Sequence, residues 1–202
     1  MANINANTTI SNEFWHKKVK FYFGEILDID KDGKLNSKDL THFKEFYRIV
    51  KGYQPGSIDL EKFNKFLNKW IGSMLVMINK QKPNNVDVFV TLEEFNLYSE
   101  RLRAELNGKK AFPPALAYMN DYVDALFNIL DIDNDGTINR KDFLTNSSNV
   151  EDLRSREKSW SIMVERLGMT RIDRRQFNDL FLEFLTSTDP KDRGNYVFGY
   201  FE

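Results

Sequence analysis

The chain has 202 residues, of which 41% are hydrophobic, 14% are aromatic and none is cysteine. Disulfides and thiolate metal sites are therefore excluded, and the composition suits a reducing compartment. The 29 basic and 30 acidic residues nearly cancel, so no bulk charge attracts the protein to nucleic acid or to an anionic membrane.

The N-terminal segment, residues 1–12, has neither a basic start nor an apolar stretch, so we expect no secretory signal. The longest apolar stretch, residues 71–78, is far shorter than the roughly 20 residues that a membrane-spanning helix needs. We therefore expect a cytoplasmic monomer without a transmembrane segment.

Helical periodicity dominates the rest of the sequence. Apolar residues recur at helical spacing over 15–26, 60–78, 116–130 and 180–185, and no segment of useful length alternates as a strand does. The sequence thus predicts an all-α fold. A Lys-Lys-Ala-Phe-Pro-Pro segment at 109–114 interrupts the helices near the midpoint, which predicts a joint between two halves, 1–108 and 109–202.

Each half contains one short acidic segment between two helical patterns, at residues 28–39 and 131–142. Both segments have Asp at positions 1, 3, 5 and 12, Gly at position 6, an aliphatic residue at 8 and Asn at 9. Asn at position 9 and Asp at 12 also predict a capping box for the following helix.

This spacing predicts a divalent metal site in each segment, because a tight loop with oxygens at alternate positions can surround a hard cation. The candidate ligands of the first segment are the side chains of Asp28, Asp30, Asp32, Asn36 and Asp39 and the carbonyl of Lys34. Those of the second are the side chains of Asp131, Asp133, Asp135, Asn139 and Asp142 and the carbonyl of Thr137. We expect one Ca²⁺ in each loop.

These segments resemble EF-hand loops, and the whole chain resembles the family of sarcoplasmic calcium-binding proteins and calexcitins. That family carries four EF-hands in two pairs, some of them degenerate. The resemblance implies two pairs of EF-hands in one compact globular protein, with short β pairing between the loops. Each half would then be one pair.

Two degenerate hands complete this pattern. Residues 90–95 resemble positions 8 to 13 of a second hand, and residues 172–177 resemble the end of a fourth, with Gln176 at position 12. The second hand has few candidate ligands: Asn85, Asp87 and Glu94. We expect both of these hands to be empty. The position-8 residues Leu35 and Val90 would pair in the first half, and Ile138 and Ile172 in the second.

Position 12 is Asp in both acidic loops, where the usual EF-hand residue is Glu. The shorter side chain favours six ligands and a smaller ion, so we expect Mg²⁺ to compete with Ca²⁺. The few internal methionines and the 17 Phe favour a rigid core over an adaptable Met-rich groove. We expect the apolar tail, residues 196–201, to dock into this core, as in a calcium buffer.

Other functions stay open at this stage. The EF-hand scaffold is similar to that of insect juvenile hormone diol kinases, which transfer phosphate from a nucleotide to an isoprenoid diol, although no nucleotide motif is present. Calexcitins suggest a calcium-dependent regulator of a protein or membrane partner. Trp15, Trp70 and Trp160 could line a cavity for a small apolar ligand, as in luciferin-binding relatives, although core packing is the favoured interpretation. His16 and His42 have no nucleophile at a recognisable spacing.

Overall fold

The computed structural model of the protein describes residues 4–78, 80, 90–145 and 150–201, with side chains from residue 13 onward. The helices are α1 (Ile4–Phe21), α2 (Ser37–Lys51), α3 (Ile58–Met77), α4 (Leu92–Leu106), α5 (Tyr118–Leu130), α6 (Arg140–Thr145), α7 (Val150–Met163) and α8 (Arg174–Thr186). The strands are β1 (Lys34–Leu35), β2 (Val90–Thr91), β3 (Thr137–Asn139) and β4 (Arg171–Asp173). The predicted all-α class is confirmed. None of the described helices is both long enough and apolar enough to cross a membrane.

The strands join the loops in two antiparallel pairs. Strand β1 pairs with β2 in a register that sets Leu35 opposite Val90. Strand β3 pairs with β4, and Ile138 lies opposite Ile172. All four position-8 side chains are buried, so each pairing is fixed by the core on one face and by backbone hydrogen bonds along the strands. The predicted pairing is confirmed.

Capping boxes begin the helices that leave the loops, which satisfies backbone N–H groups that a helix start leaves without partners. The reciprocal pairs are Asn36 with Asp39, Thr91 with Glu94, Asn139 with Asp142, and Asp173 with Gln176. The two that the sequence predicted, in the acidic loops, are confirmed.

The helix that enters the first acidic loop ends differently from its counterpart. Helix α1 continues into a π-helical turn, Tyr22–Leu27, and the Asp28 N–H donates to the Phe23 carbonyl five residues back at 2.9 Å. Helix α5 keeps the α-helical spacing, and the Asp131 N–H donates to the Phe127 carbonyl at 2.8 Å. The periodicity of apolar residues does not distinguish these two endings.

Aromatic side chains fill the interior between the two loop pairs. Trp15, Trp70 and Trp160 are all buried. Trp15 and Trp70 line a cavity of about 30 Å³, and Trp70 also borders a larger apolar cavity of about 400 Å³. The burial of all three tryptophans agrees with core packing, the favoured interpretation.

The C-terminal tail is docked, as predicted. Val197 is buried, and the Phe198 ring packs against Tyr22 and Phe184, with ring centroids 4.6 and 5.0 Å apart. Phe201 stacks on Phe21 at 5.1 Å. These contacts bring the end of the chain back onto helix α1 and the turn that follows it.

A buried lysine ties helix α1 to the turn before the tail. The Lys18 ammonium donates to the Ser187 carbonyl at 2.7 Å and to Asn195 Oδ1 at 2.8 Å. Burial lowers the pKa of Lys18 from 10.5 to about 7; the Arg103 charge acts in the same direction, and Asp192 and Glu183 oppose it. Burial thus disfavours the charged form, and the two hydrogen bonds compensate for only part of the lost contact with water.

This lysine predicts a pH dependence of stability. Between pH 7 and 10.5 the unfolded chain holds a proton on Lys18 that the folded chain has lost, so the free energy of unfolding rises with pH in that window. We expect Lys18→Met to remove this rise. Urea denaturation at several pH values would measure both slopes.

The matched control is Lys17→Met, which removes an exposed ammonium one residue away. It should keep the wild-type slope, because water solvates this group in both states. Equal slopes in the wild type and the Lys18 variant would contradict the assignment.

Candidate metal centres

The two acidic loops share one backbone conformation. At position 4, Lys31 and Asn134 have positive φ angles of 59° and 57°. At position 6, Gly33 and Gly136 have φ angles of 81° and 85°, which residues other than glycine rarely adopt. Each loop therefore turns sharply twice within three residues, which bends alternate side chains towards a common centre.

In the first loop, backbone N–H groups hold the aspartates that open and close it. The Asp28 carboxylate accepts from the N–H groups of Asp32 at 3.0 Å and Gly33 at 2.8 Å. The Asp39 carboxylate accepts from Ile29 and from Asn36, both at 2.9 Å. Both aspartates are buried, so their carboxylate oxygens are held in place on the inner side of the loop.

The second loop repeats this arrangement. The Asp131 carboxylate accepts from the N–H groups of Asp135 and Gly136, both at 3.1 Å. The Asp142 carboxylate accepts from the Asn139 N–H at 3.0 Å. Asp131 and Asp142 are buried, as are their counterparts in the first loop. The repeated motif thus repeats the hydrogen bonds from positions 5, 6 and 9 to the carboxylates at positions 1 and 12.

Three of the four predicted carboxylates converge in each loop. Oxygens of Asp28, Asp30 and Asp39 lie within 4.8 Å of one another, and so do oxygens of Asp131, Asp133 and Asp135. Asp32 and Asp142 are the remaining predicted carboxylates, and they lie outside these two groups. Asp32 instead accepts hydrogen bonds from the Lys34 N–H at 2.9 Å and from Asn36 Nδ2 at 3.2 Å.

The other predicted ligands are at the loop exits. Lys34 and Thr137 begin strands β1 and β3, so their carbonyls belong to the backbone that joins loop and strand. The Asn36 and Asn139 Oδ1 atoms accept from the N–H groups two residues on, at 2.7 and 2.9 Å. The asparagines therefore serve first as helix caps.

The carboxylates of the second loop influence one another electrostatically. Burial raises the pKa of Asp142, and the charges of Asp133, Asp131 and Asp135 raise it further, against the Asn139 hydrogen bond. Hydrogen bonds from the Thr137 hydroxyl and N–H lower the pKa of Asp135. Asp142 is thus shifted towards its neutral form mainly by burial, and the three neighbouring carboxylates act in the same direction.

The donor set fits a hard divalent cation. All the converging atoms are carboxylate oxygens, which Ca²⁺ and Mg²⁺ prefer, and neither loop presents an imidazole or a thiolate. Buried carboxylates at positions 1 and 12, with exposed ones at 3 and 5 in between, leave one side of each centre open to solvent. An ion could enter from that side.

Two cations near the second loop were not predicted from the sequence. The Lys51 ammonium, at the end of α2, bonds to the backbone of this loop, and an Arg171 nitrogen lies 3.9 Å from an Asp135 oxygen. Both contacts join segments far apart in the sequence, so no local pattern could have indicated them.

The two degenerate hands present different chemistry at position 12. The Glu94 carboxylate binds the Lys80 ammonium through both oxygens, at 2.8 and 2.9 Å. Gln176 Oε1 accepts from the Asp173 N–H at 2.9 Å within its capping box. The candidate ligands Asn85 and Asp87 lie outside the described residues.

Comparisons with known proteins support the resemblance. No protein-family model matches the chain. Sarcoplasmic calcium-binding proteins I, III and IV of Branchiostoma lanceolatum are 23% identical over 188 residues, which cover 93% of this chain and 97% of that protein. The beta chain of the sarcoplasmic calcium-binding protein of Penaeus sp. is 25% identical over 194 residues, 92% of this chain and 95% of that protein.

Solved structures share the fold. The sarcoplasmic calcium-binding protein from amphioxus has a TM-score of 0.70 at 21% identity and covers 95% of this chain and 99% of its own. The Ca²⁺-regulated photoprotein mitrocomin of the jellyfish Mitrocoma cellularia has a TM-score of 0.61 at 18% identity, covering 95% and 93%. The predicted compact EF-hand fold and the resemblance to sarcoplasmic calcium-binding proteins are therefore confirmed.

Proposed function

We propose that this EF-hand chain binds two Ca²⁺ ions, one in each acidic loop, and acts as a calcium buffer. The observation that carries the proposal is the repeated convergence of three aspartates on a loop with the same backbone turns. The sarcoplasmic calcium-binding proteins that resemble it over nine-tenths of the chain support calcium as the ion.

The ligands we propose are those of the sequence motif. In the first loop they are Asp28, Asp30, Asp32, Asn36 and Asp39 with the Lys34 carbonyl, and in the second Asp131, Asp133, Asp135, Asn139 and Asp142 with the Thr137 carbonyl. Asp32 and Asp142 would have to turn towards the centre when an ion binds. Each would then share or give up a hydrogen bond within its own loop, Asp32 that from the Lys34 N–H and Asp142 that from the Asn139 N–H.

Metal binding would contribute to folding. Carboxylates within 4.8 Å of one another repel, and backbone N–H donors offset only part of this repulsion. A doubly positive ion at the centre converts the repulsion into attraction, so its binding free energy adds to the stability of the folded state.

The second and fourth hands are proposed to stay empty. Glu94 already has a cationic partner in Lys80, and an ion would have to displace it. Gln176 is neutral and serves as a helix cap. Each half, 1–108 and 109–202, would then hold one filled and one empty hand.

We propose that the protein works as a cytoplasmic monomer. The names of its relatives place those proteins in the sarcoplasm. A chain without cysteine is also suited to a reducing compartment.

We expect calorimetry to give two Ca²⁺ per wild-type chain and one for Asp30→Ala or Asp133→Ala. Each substitution removes an exposed carboxylate from one cluster, and it should weaken that site by about a hundredfold or more, so that the site no longer fills in the titration. The reason is that a charge a few ångströms from the ion is worth several kcal/mol even at an effective dielectric constant of about 20.

Asp179→Ala is the matched control, because Asp179 is an exposed carboxylate on α8 outside both loops. It should keep two sites. A wild-type chain that binds no Ca²⁺, or a loop variant that still binds two ions with wild-type affinity, would refute the proposal.

Magnesium should compete at both sites, because Asp39 and Asp142 reach the ion with a side chain one methylene shorter than Glu. We expect the Ca²⁺ midpoint to rise about tenfold when Mg²⁺ is present at roughly ten times its own dissociation constant. Asp39→Glu and Asp142→Glu should each reduce the rise at the altered loop. A Ca²⁺ midpoint that is the same with and without Mg²⁺ would contradict this expectation.

The docked tail favours a buffer over a sensor. Val197 and Phe198 occupy apolar space in the core that a sensor would open to a target. We therefore expect the fluorescence of a dye for apolar surfaces to stay unchanged when Ca²⁺ is added. A chain that lacks residues 197–202 provides a positive control, and dye binding that grows with Ca²⁺ in the wild type would favour a sensor.

A further inference from the structure

Helix α2 connects the two proposed metal sites. Its first turn contains Asp39, which closes the first loop and whose carboxylate accepts the N–H groups of Ile29 and Asn36. The helix is 15 residues long and ends at Lys51. At about 1.5 Å per residue it therefore spans roughly 22 Å between the first loop and the place where Lys51 is fixed.

Lys51 is fixed on the other acidic loop, 80 residues further along the chain. Its ammonium donates to the Asn128 carbonyl at 2.8 Å, to the Asp131 carbonyl at 3.1 Å and to Asn134 Oδ1. An ammonium has three N–H donors, and these three acceptors use all of them.

The acceptors are the groups that need a partner at this point. Asn128 is in the last turn of α5, where helix carbonyls lack N–H partners from within the helix. Asp131 is position 1 of the second acidic loop, and Asn134 is its position 4, with the positive φ of the first sharp turn. Lys51 therefore holds the entrance and the first turn of this loop in place.

We propose that Lys51 couples the two metal sites, so that an ion in the first loop increases the affinity of the second acidic loop. This inference rests on the proposed function. An ion held by Asp39 restrains the start of α2, the helix carries the restraint to Lys51, and Lys51 restrains the loop that starts at Asp131. Binding of the second ion then costs less conformational entropy, because its loop is already ordered. The first ion thereby increases the affinity of the second site, which is positive coupling.

The expected coupling is about fivefold, the lower end of the range for two sites joined through one element. Because coupling is reciprocal, an ion in the second acidic loop should increase the affinity of the first loop by the same factor. The Lys51 charge also opposes a cation in the nearby loop directly. This direct effect cancels when the affinity of the second acidic loop with an intact first loop is divided by its affinity in Asp30→Ala, with the same residue at position 51 in both chains.

The amide signals of Gly33 and Gly136 allow the two sites to be followed separately in one NMR titration with Ca²⁺. Each amide donates to the position-1 carboxylate of its own loop, at 2.8 Å to Asp28 and 3.1 Å to Asp131. An ion that engages that carboxylate should shift the corresponding signal.

The experiment is a double-mutant cycle. The Ca²⁺ midpoint of the Gly136 signal is measured with an intact first loop and with Asp30→Ala, first with Lys51 present and then in Lys51→Met. We expect Asp30→Ala to raise the midpoint about fivefold when Lys51 is present, and to leave it unchanged in Lys51→Met. Lys44→Met, which removes a positive charge from the middle of the same helix, should keep the fivefold change.

The outcomes separate the two proposals. If neither glycine signal responds to Ca²⁺, the proposed function fails and the coupling fails with it. If both signals respond but Asp30→Ala leaves the Gly136 midpoint unchanged in the presence of Lys51, only the coupling is refuted. This result compares the wild type with Asp30→Ala only, so it does not depend on whether a Lys51 variant folds. A fivefold change that survives in Lys51→Met, or in Lys51→Gln, would refute the role of Lys51.

Discussion

Crowding of negative charge in two short loops is the constraint on which the rest of the structure depends. Buried aspartates stand at both ends of each loop, with exposed ones between them. Because backbone N–H donors can offset only part of their repulsion, the surrounding elements must hold the loops bent against it. Strand pairing, capping boxes and the aromatic core all contribute to that support.

The degenerate hands supply much of this support. Val90 and Ile172 stand opposite the aliphatic residues of the acidic loops, and their strands donate and accept the pairing hydrogen bonds. The strand and the buried aliphatic residue of each such hand help to fix the shape of the partner loop, whatever the hand itself binds.

The sequence predicted the apolar faces of α1, α3, α5 and α8, the strand pairing and the docked tail, because these follow from local periodicity and from a motif with fixed spacing. It also named every aspartate that the structure brings together. It could not predict that Asp32 and Asp142 lie outside the clusters, because this depends on hydrogen bonds within each folded loop. The π-helical turn before Asp28 and the contacts of Lys51 depend on packing between distant segments, which no local pattern records.

The Lys80–Glu94 ion pair has a consequence for the charge balance of the first half. The ammonium provides at Glu94 the positive charge that an ion would bring, so the start of α4 has its electrostatic partner whether calcium is scarce or abundant. Of the two position-12 carboxylates in this half, one is therefore neutralised by the chain itself, and Asp39 is the one that would need a charge from outside.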